Sequence, residues 1–407
     1  MSDQKRKLIF FWPYIEWGGA QIYFLAIIRE AQPKWDVIVV LPRASSKELI
    51  RFVRDAGASP EFLDFHSDMS HATKIGRKIR RQYRRVKVEL ASFKYLLRYN
   101  LSESILHIEF PPWQSWLFFT ALALRRANVF VTMHNALPDR PAWRVGIWKL
   151  RIRFLSKLPS FHLFTSNKDA KNRLRDWVGE NFWKRIKVTY TCVNPPLIKQ
   201  IRNSSANLTK IRGLYGIDDK KFVVLCVGQF IDRKGRWIFL DAAKIVARAH
   251  SNVVFVWLGP VLPSDSEQSR IDEYKLGDSF QFVLSATLGS RHEDVLRFFC
   301  VADVFALASY VEGLPIALLE AMALGIPSIS TNVYAIPEVI RHLETGLLTE
   351  TGDANGLAQS ILQLKKNAEL RTKLSANASD LVLRTFDERI ASRIALAEYE
   401  NCFRNAD

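Results

Sequence analysis

Two glutamates eight residues apart, Glu312 and Glu320, stand in the stretch from Ala302 to Val339, ADVFALASYVEGLPIALLEAMALGIPSISTNVYAIPEV. Glu320 is the one acid in a run of Ile316, Ala317, Leu318, Leu319, Ala321, Met322, Ala323 and Leu324. A carboxylate in such company is costly to bury without a partner, so its persistence points to a bound group rather than to a solvated helix face. Paired carboxylates accept hydrogen bonds from the hydroxyls of a sugar or a ribose. Two neighbouring cations, Arg233 and Lys234, lie in the turn-prone segment Val227-Gly228-Gln229-Phe230-Ile231-Asp232-Arg233-Lys234-Gly235. Adjacent side chains ordinarily diverge. His134 ends an apolar run, and Gly18-Gly19 forms a possible tight turn. No D-x-D motif occurs, so a metal-bridged diphosphate has no support in the sequence.

The elements that must hold these residues are readable. Val304–Ala308 reads as a buried strand and Ser309–Gly313 as a loop. Pro315 suits a first helical turn, Gly325 the position just past a helix end, and Pro327 a stop. A short helix over Pro315–Leu324 is therefore expected to start at the carboxyl end of a strand. Open α/β sheets bind ligands at such ends, and the free amides of the first helical turn favour an anion.

Apolar strand-like runs alternate with helical ones along the chain, the signature of parallel sheets wrapped by helices. Strands are expected at Lys7–Tyr14, Asp36–Leu41, Ser104–Ile108, Asn128–Met133 and His162–Ser166. A second series follows at Phe222–Val227, Asn252–Leu258, Ser279–Val283, Val304–Ala308 and Ser328–Thr331. With 407 residues and 48% hydrophobic content, two α/β domains are expected. The polar stretch near 196–208 divides them into 1–200 and 201–386, with a helix over 387–407 able to return to the first domain. The four cysteines are scattered without a C-x-x-C pair, which fits a reducing compartment and no zinc site. The start, MSDQKRKLIFFWPYI, reads as a first strand rather than a leader, and no apolar run is long enough to cross a membrane.

The run Glu312–Pro327, EGLPIALLEAMALGIP, resembles the E-x7-E segment of glycosyltransferase family 4. The likeness is specific over residues 222–356 and looser but collinear from residue 8 to about 400. It implies the GT-B fold, two Rossmann-like α/β domains facing across a cleft that holds the active site. It also implies retaining transfer from a nucleotide-diphosphate sugar, in which the acceptor attacks from the face that the diphosphate leaves and the departing phosphate helps to accept its proton. By the same resemblance Glu312 contacts the donor sugar and Glu320 the ribose. The amides of Gly313, Leu314 and the turn at Pro315 lie near the sugar and the distal phosphate. Gly18-Gly19 resembles a first-loop pair whose backbone approaches the diphosphate. His134, in VTMHN, is similar to a histidine near the sugar's hydroxymethyl group. Lys234 matches the lysine of a G-R-x-x-x-x-K-G loop that neutralises the diphosphate, and Arg233 stands beside it. The catalytic positions so implied are His134 and Glu312. The donor-binding ones are Gly18, Gly19, Arg233, Lys234, Gly313, Leu314, Pro315 and Glu320, with no metal ligand and no cofactor. Two departures stand out. Gln229 replaces the usual arginine, and Tyr334-Ala335 replaces two glycines before Ile336-Pro337-Glu338.

Charge is divided unevenly. Residues 1–200 hold 35 lysines and arginines against 16 acids, whereas 201–407 hold 23 against 25. Segments 74–98 and 143–157 interleave basic residues with aromatic and aliphatic ones, the pattern of helices lying on anionic headgroups. The expected partners are thus a nucleotide-diphosphate sugar, a glycan or glycolipid acceptor and an anionic membrane. A cytoplasmic protein held peripherally at the inner face of the membrane would meet all three. A nucleic-acid-binding protein is the main rival reading, but no zinc, helix-turn-helix or RNA-recognition signature accompanies the charge. The loop E-W-G-G-A-Q does not match the G-x-G-x-x-G of dinucleotide dehydrogenases. A GT-B-shaped subunit that has lost activity is the remaining alternative.

Overall fold

A computed structural model describes residues 5–13, 15, 19–64, 75–134, 140–204, 208–289 and 291–404. The described chain forms two compact units, 1–190 with 389–407, and 191–388.

The first unit runs β1 (Arg6–Phe11), α1 (Gly19–Ala31), β2 (Trp35–Pro42), α2 (Lys47–Asp55), β3 (Ser59–Leu63), α3 (Ile75–Leu96), β4 (Ser104–Ile108), α4 (Trp116–Leu124) and β5 (Asn128–Met133). It continues with α5 (Ala142–Leu155), β6 (Phe161–Thr165), α6 (Lys168–Val178), α7 (Glu180–Arg185) and β7 (Lys187–Val188). Its sheet has the order β3-β2-β1-β4-β5-β6-β7, and every pairing is parallel. Parallel strands are covered on both faces, which is why β1, β2 and β4 read as nearly unbroken apolar runs. The chain moves one way along the sheet from β1 to β3, then returns past β1 and moves the other way. Right-handed crossovers therefore put α1 and α2 on one face and α3, α4, α5 and α6 on the other. Alternate side chains record the two layers. Ile9, Phe11, Leu106, Ile108, Val129 and Val131 join the core under α3–α6. Phe10, His107, Phe130 and Phe164 form an aromatic layer on the opposite side.

The second unit runs α8 (Pro195–Asn203), α9 (Leu208–Leu214), β8 (Phe222–Val227), α10 (Arg236–Ala249), β9 (Val253–Gly259), α11 (Asp265–Asp272), β10 (Phe280–Leu284) and α12 (His292–Phe299). It continues with β11 (Val304–Leu307), α13 (Ile316–Ala323), β12 (Ser328–Thr331), β13 (Leu347–Thr349), α14 (Ala354–Lys366) and α15 (Ala368–Thr385). The sheet order β10-β9-β8-β11-β12-β13 again reverses beside its first strand, with Leu225 opposite Phe305. The helix α16 (Glu388–Arg404) falls almost wholly in the first unit. There Tyr399 is fully buried against Phe130, Phe164 and His107.

The division falls at 190/191, ten residues before the boundary expected at 200/201. The stretch near 196–208 expected to divide the domains begins inside a helix that starts at Pro195, with the Asn194 side chain accepting from the Leu197 amide. That helix, α8, packs on α12 and α13 and so belongs to the second unit. The first strand also stops earlier than expected, at Phe11 rather than Tyr14.

Candidate active site

In each unit the sheet has one place where successive crossovers leave in opposite directions, between β1 and β4 and between β8 and β11. Loops at the carboxyl ends of such strands part from each other and open a crevice. In the second unit those loops are 228–235, after β8, and 308–315, after β11.

The two loops are held together through their backbones. Gly235 has φ +69° and lies so close to β11 that an added Cβ would stand 1.8 Å from the Ala308 carbonyl oxygen. The Tyr310 amide donates to the Arg233 carbonyl (2.9 Å), and Arg233 Nη1 donates to the Val311 carbonyl (3.0 Å). Thr331 Oγ1 donates to the Ser309 carbonyl (2.6 Å), which fixes the loop from the β12 side. Asp232–Lys234 form a single 3-10 turn, and the Lys234 stem runs across Gly228.

This framework brings three of the expected residues together. Lys234 Nζ is 2.6 Å from Glu312 Oε1, and Arg233 Nη1 is 3.5 Å from Glu312 Oε2. Ser309 Oγ donates to Glu312 Oε1 (2.7 Å). The expectation that Arg233 and Lys234 would diverge is thus corrected, because the tight turn lets both cations reach one carboxylate. Glu312 is only 4% exposed. A buried carboxylate held by two cations and a hydroxyl is well compensated. Buried beneath the cluster, Cys226 has its thiol pushed well up by burial, with Lys234 opposing and Glu312 adding to the shift.

Gly313, Leu314 and Pro315 follow as a buried turn. Pro315 is extended (ψ 123°) and precedes the helix, so α13 is shorter at both ends than the expected Pro315–Leu324. Gly325 adopts φ +81°, as a residue just past a helix end does. Glu320 lies in α13 and is buried, as its apolar neighbours required. Its partner is within the chain: His292 Nε2, at the start of α12, is 2.6 Å from Glu320 Oε1. The inference that this acid needs an external ligand is corrected to that extent. Tyr334, at a position where the resembled pattern has glycine, keeps a left-handed backbone (φ +48°). Gln229 is exposed.

His134 belongs to the first unit, at the carboxyl end of β5. Its carbonyl accepts from Ser166 Oγ (3.2 Å) and Asn167 Nδ2 (3.2 Å), and the rings of Tyr23 and Phe24 meet it edge-on. Its Nε2 is 3.3 Å from Glu109 Oε2, just past β4. Behind this pair, His107 is hydrogen-bonded to Tyr399 (2.5 Å) and Thr132 (2.8 Å). Burial, with His134 adding to it, pushes His107 down to about 3. Gly19 is the first residue of α1, whereas Gly18 lies outside the described residues.

Glu109, His292 and Ser309 were not singled out in the sequence. Glu109 stands in His107-Ile108-Glu109 at a strand's carboxyl end, which was a usable signal. Ser309 follows β11 directly and had the same one. His292 sits among charged residues in Arg291-His292-Glu293-Asp294 and had none.

Comparison with known proteins bears on this arrangement. Residues 208–381 match the family of glycosyl transferases group 1. N-acetyl-alpha-D-glucosaminyl L-malate synthase of Bacillus anthracis is 30% identical over 196 residues, 48% of this chain and 49% of that protein. N,N'-diacetylbacillosaminyl-diphospho-undecaprenol alpha-1,3-N-acetylgalactosaminyltransferase of Campylobacter jejuni is 29% identical over 190 residues, 46% of each. The chain thus spans about half the length of these curated relatives. The crystal structure of HepE from Anabaena in complex with UDP-glucose superposes with a TM-score of 0.75 at 16% identity, over 97% of this chain and 100% of that one. That likeness shows the fold. The chain shares the GT-B fold of that structure, and within its second unit residues 208–381 match the glycosyl transferases group 1 family.

Proposed function

We propose that the protein is a retaining, metal-independent glycosyltransferase that moves a hexose-type sugar from a nucleotide-diphosphate donor to a lipid-linked or envelope-polysaccharide acceptor. The observation that carries this reading is the Lys234–Glu312–Arg233 cluster at the switch point of the second sheet. It lies within the segment matched to glycosyl transferases group 1. On donor binding the two cations turn to the diphosphate oxygens, and Glu312 is freed to accept hydrogen bonds from sugar hydroxyls. The anomeric carbon–oxygen bond to the phosphate breaks, a bond to the acceptor oxygen forms on the same face, and the acceptor proton goes to the departing phosphate. In this reading Glu320, held by His292, receives the ribose. The donor class is supported by the UDP-glucose complex of the Anabaena relative and the acceptor class by the diphospho-undecaprenol substrate named for the Campylobacter one. A cytoplasmic enzyme at the inner membrane surface would meet such an acceptor. No helix among the described residues is long and apolar enough to cross a membrane.

A thermal-shift screen against a panel of nucleotide sugars tests the reading, with Glu320→Ala as control. One donor class is expected to stabilise the wild type clearly and the variant much less. Equal shifts would remove Glu320 from the site, and no shift with any donor would sink the donor assignment. Exposed Gln229, at the position where the resembled loop has arginine, favours one alternative, a GT-B-shaped partner subunit without turnover. Donor binding without transfer or hydrolysis would select it.

A further inference from the structure

The first unit carries an unusual outer surface. α3, α4 and α5 lie side by side on one face of its sheet, and each buries one side. Leu96 of α3, Phe119 of α4 and Ile152 of α5 are fully buried. Cross-contacts fix them as one layer: the Trp116 and Phe154 rings are 5.7 Å apart, the Arg151 guanidinium stacks over Trp116, and Arg85 donates to Gln114.

On the opposite, outward side each helix presents another apolar stripe. In α5 it is Trp143, Ile147, Leu150 and Phe154, spaced four, three and four residues apart, with Trp143 and Leu150 about 70% exposed. In α3 it is Tyr83, Val86 and Leu90, and in α4 Leu117 and Leu124, one heptad apart. Scattered exposed leucines are ordinary, but three adjacent helices with aligned outward stripes are not. Basic residues interleave with them. Arg80, Lys87 and Lys94 share the outward side of α3, exposed Arg125 follows α4, and exposed Arg153 and Lys157 lie in and just after the last turn of α5.

We propose that this outer face of α3, α4 and α5 docks on an anionic lipid surface. The inference rests on the glycosyltransferase reading only in giving the enzyme a reason to be at a membrane, and it deepens that reading by naming the docking face. Charge and apolarity together select the occupant. Leucine and isoleucine enter the acyl boundary, tryptophan and tyrosine sit at headgroup level, and arginine and lysine pair with acidic headgroups. A second copy of the chain would bring two faces of the same sign together. A nucleic acid would satisfy the cations but gain nothing from the aliphatic stripe. Helix α4, which joins the two basic segments, was visible in the sequence only as an apolar run too short to span a bilayer.

Sedimentation of the full chain with vesicles tests the proposal. Binding to phosphatidylcholine vesicles that contain phosphatidylglycerol is expected, with little binding to phosphatidylcholine alone. The double substitution Ile147→Ser/Leu150→Ser should weaken binding at least tenfold. Arg153→Ser/Lys157→Ser should weaken it about fivefold for each charge removed. Leu214→Ser, an exposed leucine of the second unit, should leave it unchanged. Unaltered melting and unaltered donor thermal shifts will show that the variants are folded. Equal binding to neutral vesicles, no vesicle binding, or insensitivity to the α5 substitutions overturns the proposal. So does duplex DNA binding, or a dimer, that is lost with the same substitutions. Vesicle binding requires no sugar donor, so failure of the donor screen and failure of this proposal remain separate results.

Discussion

Lys234 pairs with the internal Glu312, and in the proposed reaction it turns to the incoming diphosphate. Lys234→Met should therefore do two things at once. It leaves a carboxylate that is 4% exposed short of its nearest cation, which costs about 3 kcal/mol of stability. It also removes a charge-assisted phosphate contact, so donor affinity should fall at least tenfold. Lys234→Met/Glu312→Gln should recover much of the stability and none of the affinity; chemical denaturation and donor titration read the two effects separately. Glu109 invites a different experiment. If it positions His134, Glu109→Gln should lower kcat/KM by about ten- to a hundredfold and shift its pH profile, with donor KM nearly unchanged. An unchanged profile would leave Glu109 a structural residue. At this scale the sequence exposed the acids whose surroundings were apolar. Glu320 was legible because its helix is otherwise hydrophobic, and Glu312 because it opens the same motif. Glu109 and His292 owe their importance to residues 25 to 28 positions away, which no local pattern reports.

Glycine at 235 decides how the β8 and β11 loops meet. Gly235→Ala adds a Cβ against the Ala308 carbonyl in a left-handed backbone, so at least about 2 kcal/mol should be lost, together with donor binding. Calorimetry of the variant checks this, and a wild-type melting curve would refute the close approach. The α/β alternation and the short helix after β11 were legible because strand and helix periods are local. The positions of loops relative to each other were not. Arg233 and Lys234 are sequence neighbours that should diverge, and only the 3-10 turn, pinned by Tyr310 and Gly235, turns both toward Glu312. Similarly, Tyr334, where the resembled pattern has glycine, takes the left-handed conformation that glycine favours. That costs about 1 kcal/mol that sequence reading would not have assigned.

Across the molecule, the first unit holds two histidines that burial keeps neutral, His107 at about 3 and His162 at about 4. The unfolded values lie near 6.5, so the unfolded chain takes up protons first as pH falls through that range. Stability is then lost from about pH 6.5 downward until the folded values are reached. Between pH 7.5 and 5.5, His162→Gln should lose about 1 kcal/mol less than the wild type in denaturation experiments. Equal losses would mean that His162 takes up its proton at the same pH folded and unfolded. The segment 389–407 supplies Tyr399 to the aromatic layer around His107, far from it in sequence. Residues 1–190 alone should accordingly be molten or aggregate, whereas 191–388 should unfold cooperatively as a fragment.

That returning helix also sets an order of events during synthesis. Residues 1–190 are made before 191–388, yet the aromatic face of their sheet, covered in part by α1, is completed only when Glu388–Arg404 has emerged, after the whole second unit. The half that is translated earliest is thus the last to be completed. A premature stop after residue 388 would harm the domain translated longest before it.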